Sequence, residues 1–154
     1  MRVLIYKYDF LSANDLDAIR KRAVDFPYYG AVAMSPGLPA ESAIASLNYH
    51  DMEHAKSTAL KECDNRRETG SQPCVVIAEI YPAGWRTPQD FQMSSAATMA
   101  LLTYYSGIFT KKAIAISPET GKWALGKGRN AEKDAIAACA AQAGATDCRV
   151  VVKD

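Results

Sequence analysis

The chain has 154 residues, of which 49% are hydrophobic and 23% charged, so it has ordinary globular composition and is not expected to be disordered. Its 18 basic and 17 acidic residues leave a formal net charge of +1, which argues against a dedicated nucleic-acid or membrane-surface binder. No apolar run is long enough for a membrane-spanning helix.

The first 29 residues predict one strand and one helix. The strand runs from Arg2 to Tyr8 and the helix from about Asn14 to Val24. The apolar run at the start breaks at Lys7 and Asp9, which is too early for a signal peptide. This start is typical either of a cytosolic protein or of an exported one whose signal peptide has been removed, and the cysteines must decide between them.

Residues 30–81 and 112–154 read as two copies of one repeat. The strand-like block Gly30 to Pro36 matches Lys112 to Pro118. A later block that opens with cysteine, Cys74 to Ile77, matches Cys148 to Val151. Between these blocks four helix positions match at identical spacing, namely Ala55, Ala59, Leu60 and Cys63 with Ala131, Ala135, Ile136 and Cys139. Because the three blocks keep their order, we interpret the chain as a duplicated module.

Each copy is predicted to fold as β-β-α-β, which gives an α+β fold with mainly antiparallel sheet. The second strand is expected at Ser42 to Tyr49 in copy one and at Lys122 to Gly126 in copy two. Asp51 and Asn130 are the expected N-caps of the two helices. Alanine and cysteine share one face of each helix, so each helix should lie close to its sheet.

Residues 82–111 are predicted to connect the two copies. They begin with a turn and continue as a helix from Gln89 to about Tyr105, with an apolar stripe formed by Met93, Ala97, Ala100, Leu101 and Tyr104. The predicted segments are therefore 1–29, 30–81, 82–111 and 112–154, together forming one compact domain.

The four cysteines allow three pairings, and the repeat selects one of them. Each copy places one cysteine at a helix end and one at the start of the next strand, 11 residues apart in copy one and 9 in copy two. These strands are expected at Cys74 to Tyr81 and at Cys148 to Lys153. We therefore predict disulfides Cys63–Cys74 and Cys139–Cys148. The alternatives are four reduced core cysteines or a zinc site, although the pairs lack the usual CxxC spacing. Paired disulfides imply an oxidising compartment, so we expect a secreted or periplasmic protein.

The repeated motifs resemble a family of secreted bacterial proteins, domain-of-unknown-function family 4189. The resemblance is carried by Gly30 to Pro36, by Lys112 to Pro118 followed by Thr120 to Trp123, and by Asp147 to Val152 after a helix that ends in cysteine. It covers about 60% of the chain and is closer in copy two. It implies export and a disulfide-bearing α+β module, and it supplies no catalytic residues.

One local motif suggests a metal site. His50 and His54 stand at i and i+4, a spacing at which two histidines can bind zinc from one helix face. The metalloprotease pattern needs glutamate directly after the first histidine, and here that residue is Asp51. The alternative is a solvated helix start, and we predict no metal and no cofactor, with His50 and His54 as weak candidates.

The candidate binding residues are two tryptophans and three cations. Trp85 and Arg86 follow a Pro-Ala-Gly turn, and Trp123 lies beside a tight turn. Tryptophan and arginine are enriched at binding hot spots, although each tryptophan has the alternative of closing the core. Lys127 and Arg129 flank a helix start that would weakly attract an anion.

Because no catalytic constellation is visible, we expect a non-enzymatic exported protein that binds another protein of unknown identity. An inhibitor, an immunity protein or a secreted effector are the forms considered. One alternative is a structural envelope or adhesion module, and another is a small metal-dependent enzyme that uses His50 and His54. The sequence predicts no nucleic-acid partner and leaves the oligomeric state open.

Overall fold

The computed structural model describes residues 1–87, 89, 91–142 and 144–154. The chain forms two compact units. The first unit comprises residues 1–48 and 52–87, and the second comprises residues 49–51 and 88–154. In the described part of the chain, no helix is long and apolar enough to cross a membrane.

The first unit contains a four-stranded antiparallel sheet and two helices. Its elements in chain order are β1 (Arg2–Ile5), α1 (Ala13–Ala23), β2 (Gly30–Met34), β3 (Ile44–Ser46), α2 (Met52–Arg66) and β4 (Val75–Tyr81). The strand order is β1-β4-β2-β3, so β3 lies at one edge. A 3-10 turn, Ala40–Ser42, precedes β3.

The second unit contains a three-stranded antiparallel sheet and two helices. Its elements are α3 (Ser95–Thr103), β5 (Lys112–Ile116), β6 (Trp123–Lys127), α4 (Ala131–Ala140) and β7 (Arg149–Lys153). The strand order is β6-β5-β7. These helices and antiparallel sheets confirm the predicted α+β fold, with two sheets in the described residues.

Each sheet is covered by one helix on each of its two faces. In the first unit, residues of α1 pack with Val32, Met34 and Ile80 on one face, and α2 contacts β2, β3 and β4. In the second unit, α4 packs on Ala113 and Ala115 through its own small residues. Met93 and α3 pack on Ile114 and Ile116 on the other face. The predicted helix stripes of alanine and cysteine are buried in both α2 and α4.

Three of the four strands in the first sheet, β4-β2-β3, have the same order and connections as the β7-β5-β6 sheet of the second unit, and β1 is an additional strand of the first. In each, the last strand pairs with the first strand of the matched blocks, and that strand pairs with the second. A register shift occurs between Val32 and Ala33 in β2 and between Ile114 and Ala115 in β5, which are matched positions in the sequence. Helices α1 and α3, which we had placed outside the repeat, each precede the first matched strand. The duplication itself stays a prediction.

Both predicted cysteine pairs are disulfides. Cys63–Cys74 and Cys139–Cys148 each have a Cα–Cα distance of 6.1 Å and together use all four cysteines. Each bridge joins the last turns of a helix to the residue directly before the next strand. Strands β4 and β7 begin at Val75 and Arg149, one residue later than expected.

Several predicted element limits are wrong. Helix α3 begins at Ser95 instead of Gln89, because the Ser94 hydroxyl accepts a hydrogen bond from the Ala97 amide (3.2 Å) and so caps the helix. The second strand of copy one is shorter than expected, since Ala40–Ser42 forms the 3-10 turn. Asn130 holds the N-cap position of α4, but its side chain makes no capping hydrogen bond.

Candidate functional site

His50 is a buried structural side chain of the second unit. It is 1% exposed, so the expectation of a solvated helix start is wrong. Its Nδ1 accepts a hydrogen bond from the Ser94 amide (3.0 Å), and its Nε2 lies 2.9 Å from the Lys122 carbonyl oxygen. Because Nδ1 accepts, the proton of the neutral ring is on Nε2, which donates to that carbonyl. Both ring nitrogens are therefore engaged within the chain.

His54 lies elsewhere. It is a half-buried residue of α2 in the first unit, whereas residues 49–51 belong to the second unit. Since α2 begins at Met52, His50 lies outside the helix that carries His54. Within the described residues, no group of three or more His, Cys, Asp or Glu side chains is arranged to hold a metal ion.

Trp85 belongs to an aromatic cluster of the first unit. Its ring stacks on Tyr81 with the centroids 4.2 Å apart, and Tyr81 meets Tyr29 edge to face. Arg2 donates a hydrogen bond to the Trp85 carbonyl oxygen (3.3 Å). The indole Nε1 is buried and has no hydrogen-bond partner among the described residues. The neighbouring Arg86 is exposed.

Trp123 belongs to the core of the second unit. It lies on β6 opposite Ile116 and packs, half-buried, with the cluster that includes Met93 and Ala97. Its backbone carbonyl accepts a hydrogen bond from Gln142 Nε2 (2.8 Å). The structure therefore places Trp85 and Trp123 in separate aromatic and apolar clusters, one in each unit.

Lys127 and Arg129 are both exposed near the start of α4. Arg129 lines a shallow cleft of about 240 Å³ together with the cations Lys111 and Lys133. Two carboxylates of the same cleft are already ion-paired, Glu132 with Lys153 and Asp154 with Lys112. Lys127 does not line this cleft, and the weak attraction for an anion at this helix start stays a prediction.

A buried carboxylate, Glu79, was missed by the sequence reasoning. It is 3% exposed and accepts hydrogen bonds from the hydroxyls of Tyr6 (2.9 Å) and Tyr81 (2.6 Å). Lys56 of α2 lies 3.3 Å from the same carboxylate. Burial, and next the hydrogen bond to Glu79, raise the pKa of both tyrosines above the ordinary value of 10.0. The network joins β1, β4 and α2, and its charges are satisfied internally.

The second unit carries the same ion pair with the charges exchanged. Lys56 and Glu79 of the first unit match Glu132 and Lys153 in the aligned sequence, and Lys153 Nζ lies 2.9 Å from Glu132 Oε2. In both units the pair links the helix between the matched strands to the last strand. The second pair is more than half exposed on both sides, so it contributes little to stability.

The most distinctive exposed feature is an apolar surface on and after α3. Met99 is 59% exposed, Leu102 71%, Tyr104 65% and Phe109 99%, and we call these four residues the α3 surface. Residues 91–110 contain no charged side chain at all. The expected apolar stripe was right for the buried Met93, Ala97 and Ala100 but wrong for Tyr104, which is exposed.

Helix α3 is thus apolar on two opposite faces. Ala97 and Ala100 face the sheet, and Met99 lies about 200° around the helix from Ala97 because each residue turns it by about 100°. Leu102 follows Met99 at i+3 and shares its outward face. The sequence signal that indicates this surface is the charge-free segment itself, because a helix that only covered a sheet would carry polar residues on its outer face.

No protein-family model matches the chain, and neither a curated protein nor a solved structure is similar to it. The resemblance to domain-of-unknown-function family 4189 therefore depends on the motifs quoted above and stays a prediction.

Proposed function

We propose that this chain is an exported, disulfide-stabilised protein that acts by binding another protein and not by catalysis. The single observation that carries the proposal is the α3 surface, where Leu102 is 71% exposed and Phe109 99% exposed. Large apolar side chains grouped in this way are typical of surfaces that a partner covers. The two disulfides support export, because such bonds persist in oxidising compartments.

The size of the α3 surface suits the centre of a protein interface. Its four side chains expose on the order of 500 Å², whereas a standard interface covers about 800 Å² of each partner. A rim of neighbouring polar residues would supply the remainder. Aromatic residues and methionine are enriched in such interface centres, and charged residues are depleted there.

The chemistry of the surface also constrains the partner. Because residues 91–110 carry no charge, the matching face of the partner should be apolar and uncharged. The affinity should therefore depend little on salt concentration. An inhibitor, an immunity protein and a secreted effector are all forms of such a binding protein.

The two alternatives depend on different residues. A structural envelope or adhesion module would use the α3 surface to join copies of the chain, so it would self-associate. A metal-dependent enzyme would need His50, whose two ring nitrogens already hold the Ser94 amide and the Lys122 carbonyl. A metal at His50 would have to displace at least one of these hydrogen bonds.

The test uses charge-introducing variants of the exposed residues. Leu102→Glu and Phe109→Glu place a carboxylate on the α3 surface, and both positions are exposed enough to keep the fold. Val24→Glu is the matched control, since Val24 is an apolar residue of the first unit that is 52% exposed. The partner is captured from the native compartment with the wild-type chain, purified, and titrated against all four proteins.

The proposal predicts that each α3 variant weakens partner binding at least about 100-fold, an effect typical of a hot-spot residue, while Val24→Glu binds like the wild type. Equal binding by all four proteins would contradict the use of this surface. Sedimentation of the isolated chain should show a monomer, and a concentration-dependent oligomer abolished by Leu102→Glu would favour the structural module instead.

A further inference from the structure

The first unit contains an open apolar cleft of about 240 Å³ between α1 and the edge strand β3. Val32 of β2 lies at its floor, Ala18 and Ile19 of α1 form one side, and Ala43 and Ala45 form the other. Four of the nine lining residues are alanines, and Phe26 adds an aromatic side chain to the apolar wall.

The second unit shows why this cleft exists. Ala45 pairs with Val32 in the first sheet, and at the matched position Leu125 pairs with Ile114 in the second. Leu125 packs into the core under α3, whereas Ala45 is exposed. A large side chain of the second unit is thus replaced by a methyl group in the first.

The same replacement occurs two residues earlier along the edge strand. Trp123 pairs with Ile116 in the second sheet, and Ala43 holds the equivalent place beside β2 in the first. Exchanging a tryptophan and a leucine for two alanines removes on the order of 200 Å³ of side-chain volume, which accounts for most of the cleft.

Two opposite charges line the cleft. Arg22 projects from α1, and Glu41 lies on the 3-10 turn before β3. Among the described residues, neither side chain has an ion pair or hydrogen-bond partner. An unpaired guanidinium and an unpaired carboxylate beside an apolar floor are complementary to a ligand that carries a carboxylate, an ammonium group and a large apolar group.

We infer that this cleft binds a free α-amino acid with an aromatic or branched side chain. The side chain occupies the space that Trp123 and Leu125 fill in the second unit. The ligand carboxylate accepts hydrogen bonds from Arg22, and the ligand ammonium group donates to Glu41. The cleft volume of about 240 Å³ lies just below the roughly 300 to 1,000 Å³ typical of pockets for drug-sized ligands, which suits a ligand the size of one amino acid.

The test is a calorimetric titration of the full chain with L-tryptophan and with L-leucine. One-to-one saturable binding is expected for at least one of them. Arg22→Gln and Glu41→Gln should each weaken it at least about tenfold, the effect of losing one charge-assisted hydrogen bond. N-acetyltryptophanamide lacks both charges. It should bind the wild type no more tightly than L-tryptophan binds either variant.

A filling variant separates a binding site from a packing gap. Ala45→Leu restores the side chain that the second unit carries, so it should fold and should abolish binding. Ala141→Leu, at an exposed alanine of the second unit, is the matched control and should bind like the wild type.

Three outcomes would overturn the inference. The first is that neither amino acid shows saturable binding. The second is that binding survives in Ala45→Leu. The third is that the dipeptide Gly-Trp binds as tightly as free L-tryptophan. The last result would assign the cleft to the carboxyl end of a peptide. None of these results depends on the α3 surface, so a failure of this inference would leave the proposed protein-binding function untouched.

Discussion

His50 shows how one buried side chain can hold two distant segments of a unit. Its ring connects the Ser94 amide, at the N-cap of α3, with the Lys122 carbonyl, at the start of β6. Both partners are backbone groups, and a buried backbone group without a partner lowers stability by about 1 to 3 kcal/mol. The burial of His50 therefore has a structural explanation in these two hydrogen bonds.

His50→Ala should lower the free energy of unfolding by about 2 to 4 kcal/mol, because it orphans the Ser94 amide and leaves a cavity. The measurement is chemical denaturation followed by circular dichroism. His54→Ala, at a half-buried residue of α2, is the control and should cost less than about 1 kcal/mol. Equal losses in the two variants would contradict the structural role of His50.

Tyr81 should make the protein sensitive to alkaline pH. Its pKa is raised by burial and by the hydrogen bond to Glu79, whereas in the unfolded chain it titrates near 10.0. The stability that Tyr81 contributes is therefore complete below about pH 10 and declines as the pH rises further, because only the unfolded state releases the proton there.

Tyr81→Phe should consequently lower stability at neutral pH, because the hydrogen bond is lost, and should flatten its decline between about pH 9 and 11. The free energy of unfolding measured across that range checks both effects. Tyr104→Phe, at an exposed tyrosine of the α3 surface, should keep the wild-type decline. A Tyr81→Phe profile parallel to that of the wild type would refute this role of Glu79.

At the scale of the elements, close approach of helix α4 to strand β6 depends on one glycine. A methyl group added at Gly126 would lie 1.9 Å from the Ala131 carbonyl oxygen and 2.7 Å from the Ala135 amide nitrogen. Those backbone atoms cannot move away without displacing α4. The alanine-rich face of the helix and this glycine together explain why the two elements pack so closely.

Gly126→Ala should therefore destabilise the second unit by about 3 kcal/mol, at the upper end of overpacking effects. Gly107→Ala is the matched control, since a methyl group there meets nothing within 4 Å. It should change the free energy of unfolding by less than about 0.5 kcal/mol. Thermal or chemical denaturation of both variants measures this difference. An unchanged free energy of unfolding in Gly126→Ala would show that α4 packs less closely on β6.

Each disulfide ties the end of a helix to the segment that precedes the last strand of its unit. They close loops of 11 and 9 residues, for which chain entropy predicts about 3 kcal/mol each. Replacing either pair by serine should lower the free energy of unfolding by about that amount, measured by chemical denaturation. A loss below about 1 kcal/mol would contradict the entropic account, and intact mass after alkylation checks that the wild-type thiols are all oxidised.

The features that could be predicted from the sequence are those that depend on the spacing and the size of residues. The cysteine pairs and the small-residue faces of α2 and α4 could be inferred because matched positions repeat in the chain. The bounds of α3 could not, because the choice between Gln89 and Ser95 depends on the Ser94 cap. Competing caps of similar propensity are resolved only by the packing around them.

The remaining features depend on contacts between distant residues. Glu79 in the strand Val75–Tyr81 looks like a solvent-facing charge until Tyr6, Tyr81 and Lys56 are placed around it. The cleft beside β3 likewise needs the strand register, since Ala43 and Ala45 become informative only when set beside Trp123 and Leu125. A single sequence does not contain these pairings explicitly.

At the scale of the whole molecule, the residues that stabilise the fold differ from those of the proposed binding surface. Each unit is stabilised by contacts within itself, which are one disulfide and a small-residue helix face in each unit and, in the first unit, the buried Glu79 network. The α3 surface takes no part in those contacts and leaves its apolar side chains in solvent. We therefore expect variants of the α3 surface to change binding without lowering stability.

The most direct test of this account is position-resolved photo-crosslinking in the native compartment. A photoreactive residue is placed in turn at Leu102 and Phe109 and, as controls, at the exposed apolar positions Val24 and Ile136. The account predicts one adduct of the same protein partner at Leu102 and Phe109 and none at the two controls. No adduct at the α3 surface, or equal adducts at all four positions, would contradict it.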